Sequence, residues 1–88
     1  MGSNVRWFNT VTMRATKYFD KGCKCVSAYY KDKFYYIVEK IGYHGDRYYI
    51  PVIQRIRPFR GQPEFYSLNL LFNSFEDGKS YCQTYVFI

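Results

Sequence analysis

Phe34-Tyr35-Tyr36-Ile37-Val38-Glu39-Lys40-Ile41 is the stretch that decides the fold. Its β-branched and aromatic side chains favour extended, pleated chain. Apolar groups stand at odd and even positions alike, so both faces of the strand need cover. Such a strand belongs in the middle of a sheet, and its neighbours must be sought on either side.

Toward the C-terminus, Gly42-Tyr43-His44-Gly45-Asp46 reads as a turn with two glycines. Residues 47–57 then alternate. Tyr48, Ile50, Val52 and Ile56 form a core face with Gln54 as a polar intruder. Arg47, Tyr49, Pro51, Ile53, Arg55 and Arg57 form the other face. Pro51 lacks a ladder donor, which requires an edge or a bulge there. Pro58 to Pro63 is a loop, and residues 65–72 read as a fifth strand.

Toward the N-terminus, Lys31-Asp32-Lys33 suits a tight connection to a strand over 23–30. Asp20-Lys21-Gly22 is a short turn. Before it, Val11, Met13, Ala15 and Phe19 share one face of a first strand over 11–19.

The C-terminal segment has two readings. Ser74 followed by Asp77 three residues on resembles a helix capping box, and Phe75, Lys79, Cys82 and Tyr85 or Val86 recur at helical spacing. Against a helix, Gly78 within it costs about 1 kcal/mol relative to Ala, and residues 80–87 are rich in strand formers. A helix is expected because a sheet with an uncovered apolar face is not stable alone. The expected fold is therefore α+β, an antiparallel sheet of about five strands with one C-terminal helix. The alternative is an all-β barrel of six strands that ends on residues 80–87.

With 88 residues the chain suits a single small domain with one modest core. Eleven Tyr and eight Phe exclude a disordered chain. Neither a membrane span nor a secretion signal is visible, which points to the cytoplasm and to no membrane partner. Three cysteines, Cys23, Cys25 and Cys82, suit free thiols better than a disulfide framework. The Cys23-x-Cys25 spacing is wrong for a zinc knuckle, so no metal or other cofactor is expected. His44 is the single histidine, and no nucleophile, glycine-rich phosphate loop or paired-carboxylate motif accompanies it. No catalytic residue is assigned.

The formal charge is +6, and it is uneven: +5 over residues 1–33, +3 over 34–60 and −2 over 61–88. This imbalance favours an anionic partner. Arg47, Tyr49, Arg55 and Arg57 share one side of a strand, and Phe59 and Arg60 continue it into the loop. Lys33 and Tyr35, with Arg14 and Tyr18, join from neighbouring strands if the register allows. Cations that follow phosphates, alternating with rings that stack on bases, are how sheets bind single-stranded nucleic acid. The expected function is thus a non-enzymatic basic module that binds single-stranded nucleic acid. The alternative is a protein-binding module, such as a small viral or mobile-element inhibitor of a host protein, because Tyr and Arg are prominent in interface hot spots. The first reading demands a free Tyr49 ring, and Arg55 and Arg57 not tied to Glu39 and Asp46. If either demand fails, that face does not exist and the second reading moves ahead.

Overall fold

The computed structural model describes residues 5–88. Five antiparallel strands follow one another as a meander: β1 (Phe8–Val11), β2 (Lys24–Tyr30), β3 (Lys33–Ile41), β4 (Arg47–Arg55) and β5 (Phe65–Ser67). A short helix α1 (Phe75–Tyr81) runs into a single π-helical turn, Cys82–Val86. The fold is α+β, and the sheet stays open; the six-stranded barrel is not formed.

β3 is central, as its two-sided apolar pattern requires. Its odd residues Tyr35 and Ile37 face α1 and pack with Val26, Ala28, Ile53, Cys82 and Phe87. Its even residue Val38 faces the other way and packs with Phe19, Cys25 and Val52. Two small cores therefore sandwich one sheet. Burying a Val, Ile or Phe side chain contributes about 1.5–3 kcal/mol, and Ile37, Val38, Val52 and Phe87 are all fully buried.

The first core is closed by the C-terminal segment. Ser74 is extended and its Oγ accepts the Asp77 N–H at 3.1 Å, which satisfies one of the free amides of the first turn. Gly78 is the buried residue of α1 and sits directly on Ile37: a Cβ there would lie 2.8 Å from Ile37 Cγ2. The glycine that argues against a helix on propensity is what lets the helix approach the sheet. Past Tyr81 the helix widens, and the Phe87 N–H reaches back to the Cys82 carbonyl at 2.8 Å. Phe87 then meets Tyr30, Tyr35 and Trp7 at ring-centroid distances of 4.8, 5.0 and 5.7 Å.

The second core is closed by residues 12–23, which were expected to hold the first strand. Pairing occurs instead at Phe8–Val11, against Ser27 to Lys24. Thr12 explains the departure. Its buried Oγ1 donates to the Asp20 carbonyl (2.6 Å) and accepts from the Cys23 N–H (2.8 Å), while its own amide and carbonyl bond Cys23 and Gly22. These four bonds fold the segment into a loop over the sheet and drop Phe19 into the core. Alternation alone does not distinguish such a flap from a strand.

Three further expectations change. β4 ends at Arg55, so Ile56 and Arg57 lie beyond the ladder, and Ile56 is exposed. The centre of β4 is buried on both faces, at Pro51, Val52 and Ile53, rather than on one. β5 is limited to Phe65–Ser67, with Phe72 returning only to exchange two hydrogen bonds with Tyr49. Pro51 accounts for that gap. The amides of Tyr49 and Arg55 point to the β5 side, toward Phe72 and Glu64. Pro51 has the same parity and no N–H to offer, and Ser67 Oγ bonds its carbonyl at 2.7 Å. The chain leaves the sheet opposite the proline.

Candidate ligand-binding site

Hairpin β2–β3 positions the site. Its turn is Lys31-Asp32, both residues at positive φ (46° and 66°), as a two-residue turn matched to strand twist requires. That turn fixes the pairs Tyr30↔Lys33 and Tyr29↔Phe34, and β4 adds Arg55 beside Lys33 and Gln54 beside Phe34. Lys33 and Arg55 thus share the α1 face at the turn end of the sheet with Tyr30 and Tyr66, and Tyr29 and Phe34 stand on the other face.

A depression of about 720 Å³ opens at this end. Lys33, Arg55 and Arg57 line it together with Tyr29, Phe59 and Tyr66. Among the described residues Asp32 is its only acid, and the Tyr29 hydroxyl donates to Asp32 Oδ1 at 3.3 Å. Arg55 is held in place: its Nη1 donates to the Pro63 carbonyl at 2.7 Å and its guanidinium lies 4.1 Å over the Tyr66 ring. Among the described residues neither Lys33 nor Arg57 forms an ion pair. Phe59 is 79% exposed at the rim, in a loop turned at Gly61 (φ 81°) and tied by the Phe59 N–H to Gln62 Oε1.

Of the eight residues singled out from sequence, Lys33, Arg55, Arg57 and Phe59 come together here. Arg60 is exposed in the same loop but does not line the depression. The other three are placed differently, and the single strand face expected from alternation is corrected. Arg47 lies at the opposite end of β4, eight residues or about 26 Å from Arg55. It lines a separate depression with Lys21, Lys24, Lys40 and Glu39. Tyr49 is half-buried under α1, its ring 4.7 Å from Phe75 and its hydroxyl donating to Glu39 Oε2 at 2.9 Å. That bond, and then burial, raises the phenol pKa above 10.0. Tyr35 belongs to the core, edge-on to Phe87. Neither ring is free to stack. Burial, and then neighbouring groups including Tyr66, raises the Tyr35 pKa.

Tyr29, Tyr66 and Phe34 were not singled out. The hairpin held the signal: once Lys31-Asp32 is a two-residue turn, Tyr29 and Phe34 must sit opposite each other. On the face away from α1, Phe8, Tyr29 and Phe34 are 57%, 53% and 38% exposed. Beside Phe34 runs a groove of about 420 Å³ between the 12–19 segment and the sheet, lined by Met13, Arg14, Tyr36, Gln54 and Phe65 among others. Its polar groups are already paired in a chain. Tyr36 Oη donates to Gln54 Oε1 (2.7 Å), Gln54 Nε2 donates to Glu64 Oε2 (2.7 Å), and Arg14 Nη2 bonds the same carboxylate oxygen (2.6 Å).

The cysteines divide between the two cores. Burial pushes the Cys25 thiol, with Cys23 nearby, and the Cys82 thiol up to about 11. Both are neutral at physiological pH, and neither lines the cationic depression. Among the described residues, no helix is long and apolar enough to cross a membrane. No protein-family model, curated protein or solved structure matches this chain.

Proposed function

We propose that the protein is a non-enzymatic module that binds single-stranded nucleic acid at the turn end of hairpin β2–β3. One observation carries this reading: three cations, Lys33, Arg55 and Arg57, line one depression with the rings of Tyr29, Phe59 and Tyr66 and a single acid. Phosphates and flat bases, joined in one ligand, need that combination. Arg55 and Arg57 form no ion pair with Glu39 or Asp46 among the described residues, but the Tyr49 ring is packed, so the strand face expected from sequence does not exist and the protein-partner reading gains ground. The nucleic-acid proposal therefore rests on the depression at the sheet end and not on the strand face.

The test is an anisotropy titration with labelled single-stranded oligonucleotides between about 50 and 200 mM salt, where proteins that neutralise several phosphates lose orders of magnitude in affinity. Each of Lys33→Ala and Arg57→Ala should weaken binding similarly across sequences and flatten the log–log salt slope by roughly 0.7. Salt-insensitive binding, or none, overturns the proposal.

A protein partner is the second reading, favoured by the exposed row of Phe8, Tyr29 and Phe34. Aromatic residues and Arg are enriched in such interfaces. Capture of a protein from nuclease-treated lysate, with loss in Phe8→Ala and no loss in Arg57→Ala, supports it over the first. We place this activity in the cytoplasm, since three free thiols suit a reducing compartment.

A further inference from the structure

We infer that the bound strand does not end in the cationic depression but crosses the Tyr29–Phe34 pair and lays its next bases along Phe34 and Tyr36 into the adjoining groove. This rests on the nucleic-acid reading and adds to it a direction, a minimum length and a base-stacking site.

The two hollows share a wall. Tyr29 lines the depression, Phe34 lines the groove, and the two rings meet edge to face with centroids 5.5 Å apart. Beyond the wall, the exposed Phe34 ring and the half-buried ring of Tyr36, which packs on the second core but also lines the groove, lie 6.4 Å apart and within 34° of parallel. They are alternate residues of one strand, so both project from the same sheet face. A spacing of that size is comparable to the nucleotide repeat of an extended single strand. Stacking on such rings tolerates any base, because every base has a π-face.

Charge agrees with the path. Lys33 and Arg57 stand at its start. The Arg6 guanidinium lies 5.7 Å over the Phe8 ring, outside the linings of both hollows. The groove itself is close to neutral, since Arg14 is paired with Glu64. Phosphates would therefore be held at the depression and bases laid toward the groove, a division of labour that suits a single strand.

The experiment is binding of fluorescein-labelled oligothymidylates of two to twelve nucleotides at low salt. Wild-type affinity should climb up to about four nucleotides or somewhat beyond, the lower end of site sizes for small sheet domains. Phe34→Ala should weaken the longer oligomers by roughly 5- to 150-fold, the loss of one stacked base, and leave the dinucleotide unchanged. Arg57→Ala should weaken every length. Phe34→Leu keeps the apolar contact with Tyr29 and removes only the flat face, so it should show the same loss confined to longer oligomers, and it carries the test if the alanine variant folds poorly by circular dichroism. If Phe34→Leu binds every length as wild type does while Arg57→Ala weakens them all, the depression stands and the track falls. If no oligomer binds, both fall.

Discussion

Gly78 shows how one residue can be wrong for its element and right for its neighbour. In an exposed helix, Gly→Ala is worth about 1 kcal/mol in favour of Ala. Here the added Cβ would lie 2.8–3.0 Å from three atoms of Ile37, and overpacking a core typically costs 1–3 kcal/mol. The clash should win. Gly78→Ala is expected to lower stability by about 1–2 kcal/mol in urea denaturation, with an unchanged m-value. Ile37→Ala should cost less in that background than alone, because the two substitutions share one contact. A stabilised Gly78→Ala protein would show that α1 sits further from the sheet.

The two buried thiols make a second prediction at this scale. Their folded pKa of about 11 lies above the ordinary 9.0. Below pH 9 both folded and unfolded thiols are protonated, and the full contribution to stability is present. Above it the unfolded chain gives up protons that the folded chain keeps, so stability falls as pH rises from 9 toward 11. Tyr35 and Tyr36, raised above 10.0 chiefly by burial, act in the same direction at the upper end. Urea midpoints across this range should decline, and the decline should be shallower in Cys25→Ala/Cys82→Ala. A flat profile would mean that the thiols meet solvent.

Among the elements, the β2–β3 hairpin and the 12–23 flap rest on short pieces of chain. Lys31 adopts a left-handed conformation that costs an ordinary L-residue about 1–2 kcal/mol and costs Asn less. Its ammonium touches the Ile88 carbonyl at 3.2 Å and lies 5.2 Å from the Tyr30 ring centroid, exposed contacts that together offset only part of that cost. Lys31→Asn should therefore raise stability by about 0.5–1 kcal/mol, read as a shift in melting temperature. The flap depends on Thr12, whose hydroxyl makes two hydrogen bonds from a buried position. Thr12→Val keeps the shape and strands those partners, so it should cost about 1–3 kcal/mol. It should also release Phe19, detectable as faster amide exchange over residues 12–23.

The same two elements mark where the sequence is legible. β3 and its central place were readable because eight residues in a row carry a two-sided pattern, and the turns at Asp32 and Gly45 marked the strands on either side of it. Ser74 and Asp77 announced α1. The flap was not readable, because Val11, Met13, Ala15 and Phe19 alternate whether or not a strand forms. What decides the outcome is Thr12 bonding across to Asp20 and Cys23. Nor could alternation say which face of β4 was free. Tyr49 and Arg55 share a face, but α1 covers one end of it and not the other.

For the molecule as a whole, the issue is whether its positive charge acts as one surface or two. Cations collect at both ends of the sheet. Lys33, Arg55 and Arg57 stand at one, and Lys21, Lys24, Lys40 and Arg47 at the other. The ends are about 26 Å apart along β4. That is more than three Debye lengths at physiological salt, about 8 Å each, so exposed charges at one end hardly feel a ligand at the other. The depression at the second end also carries Asp20 and Glu39 and has no ring in its lining, although Tyr43 stands exposed in the adjoining β3–β4 turn. Arg47→Ala should consequently leave oligonucleotide affinity at physiological salt within about twofold of wild type, where Arg57→Ala lowers it. Combining the two should give the Arg57→Ala affinity and slope, since sites this far apart add independently. Lowering salt to about 10 mM lengthens screening to roughly 30 Å, and Arg47→Ala should then begin to slow association without changing dissociation. If instead Arg47→Ala weakens binding as much as Arg57→Ala at physiological salt, the ligand spans the full length of β4, and the proposed site at the hairpin end is too small.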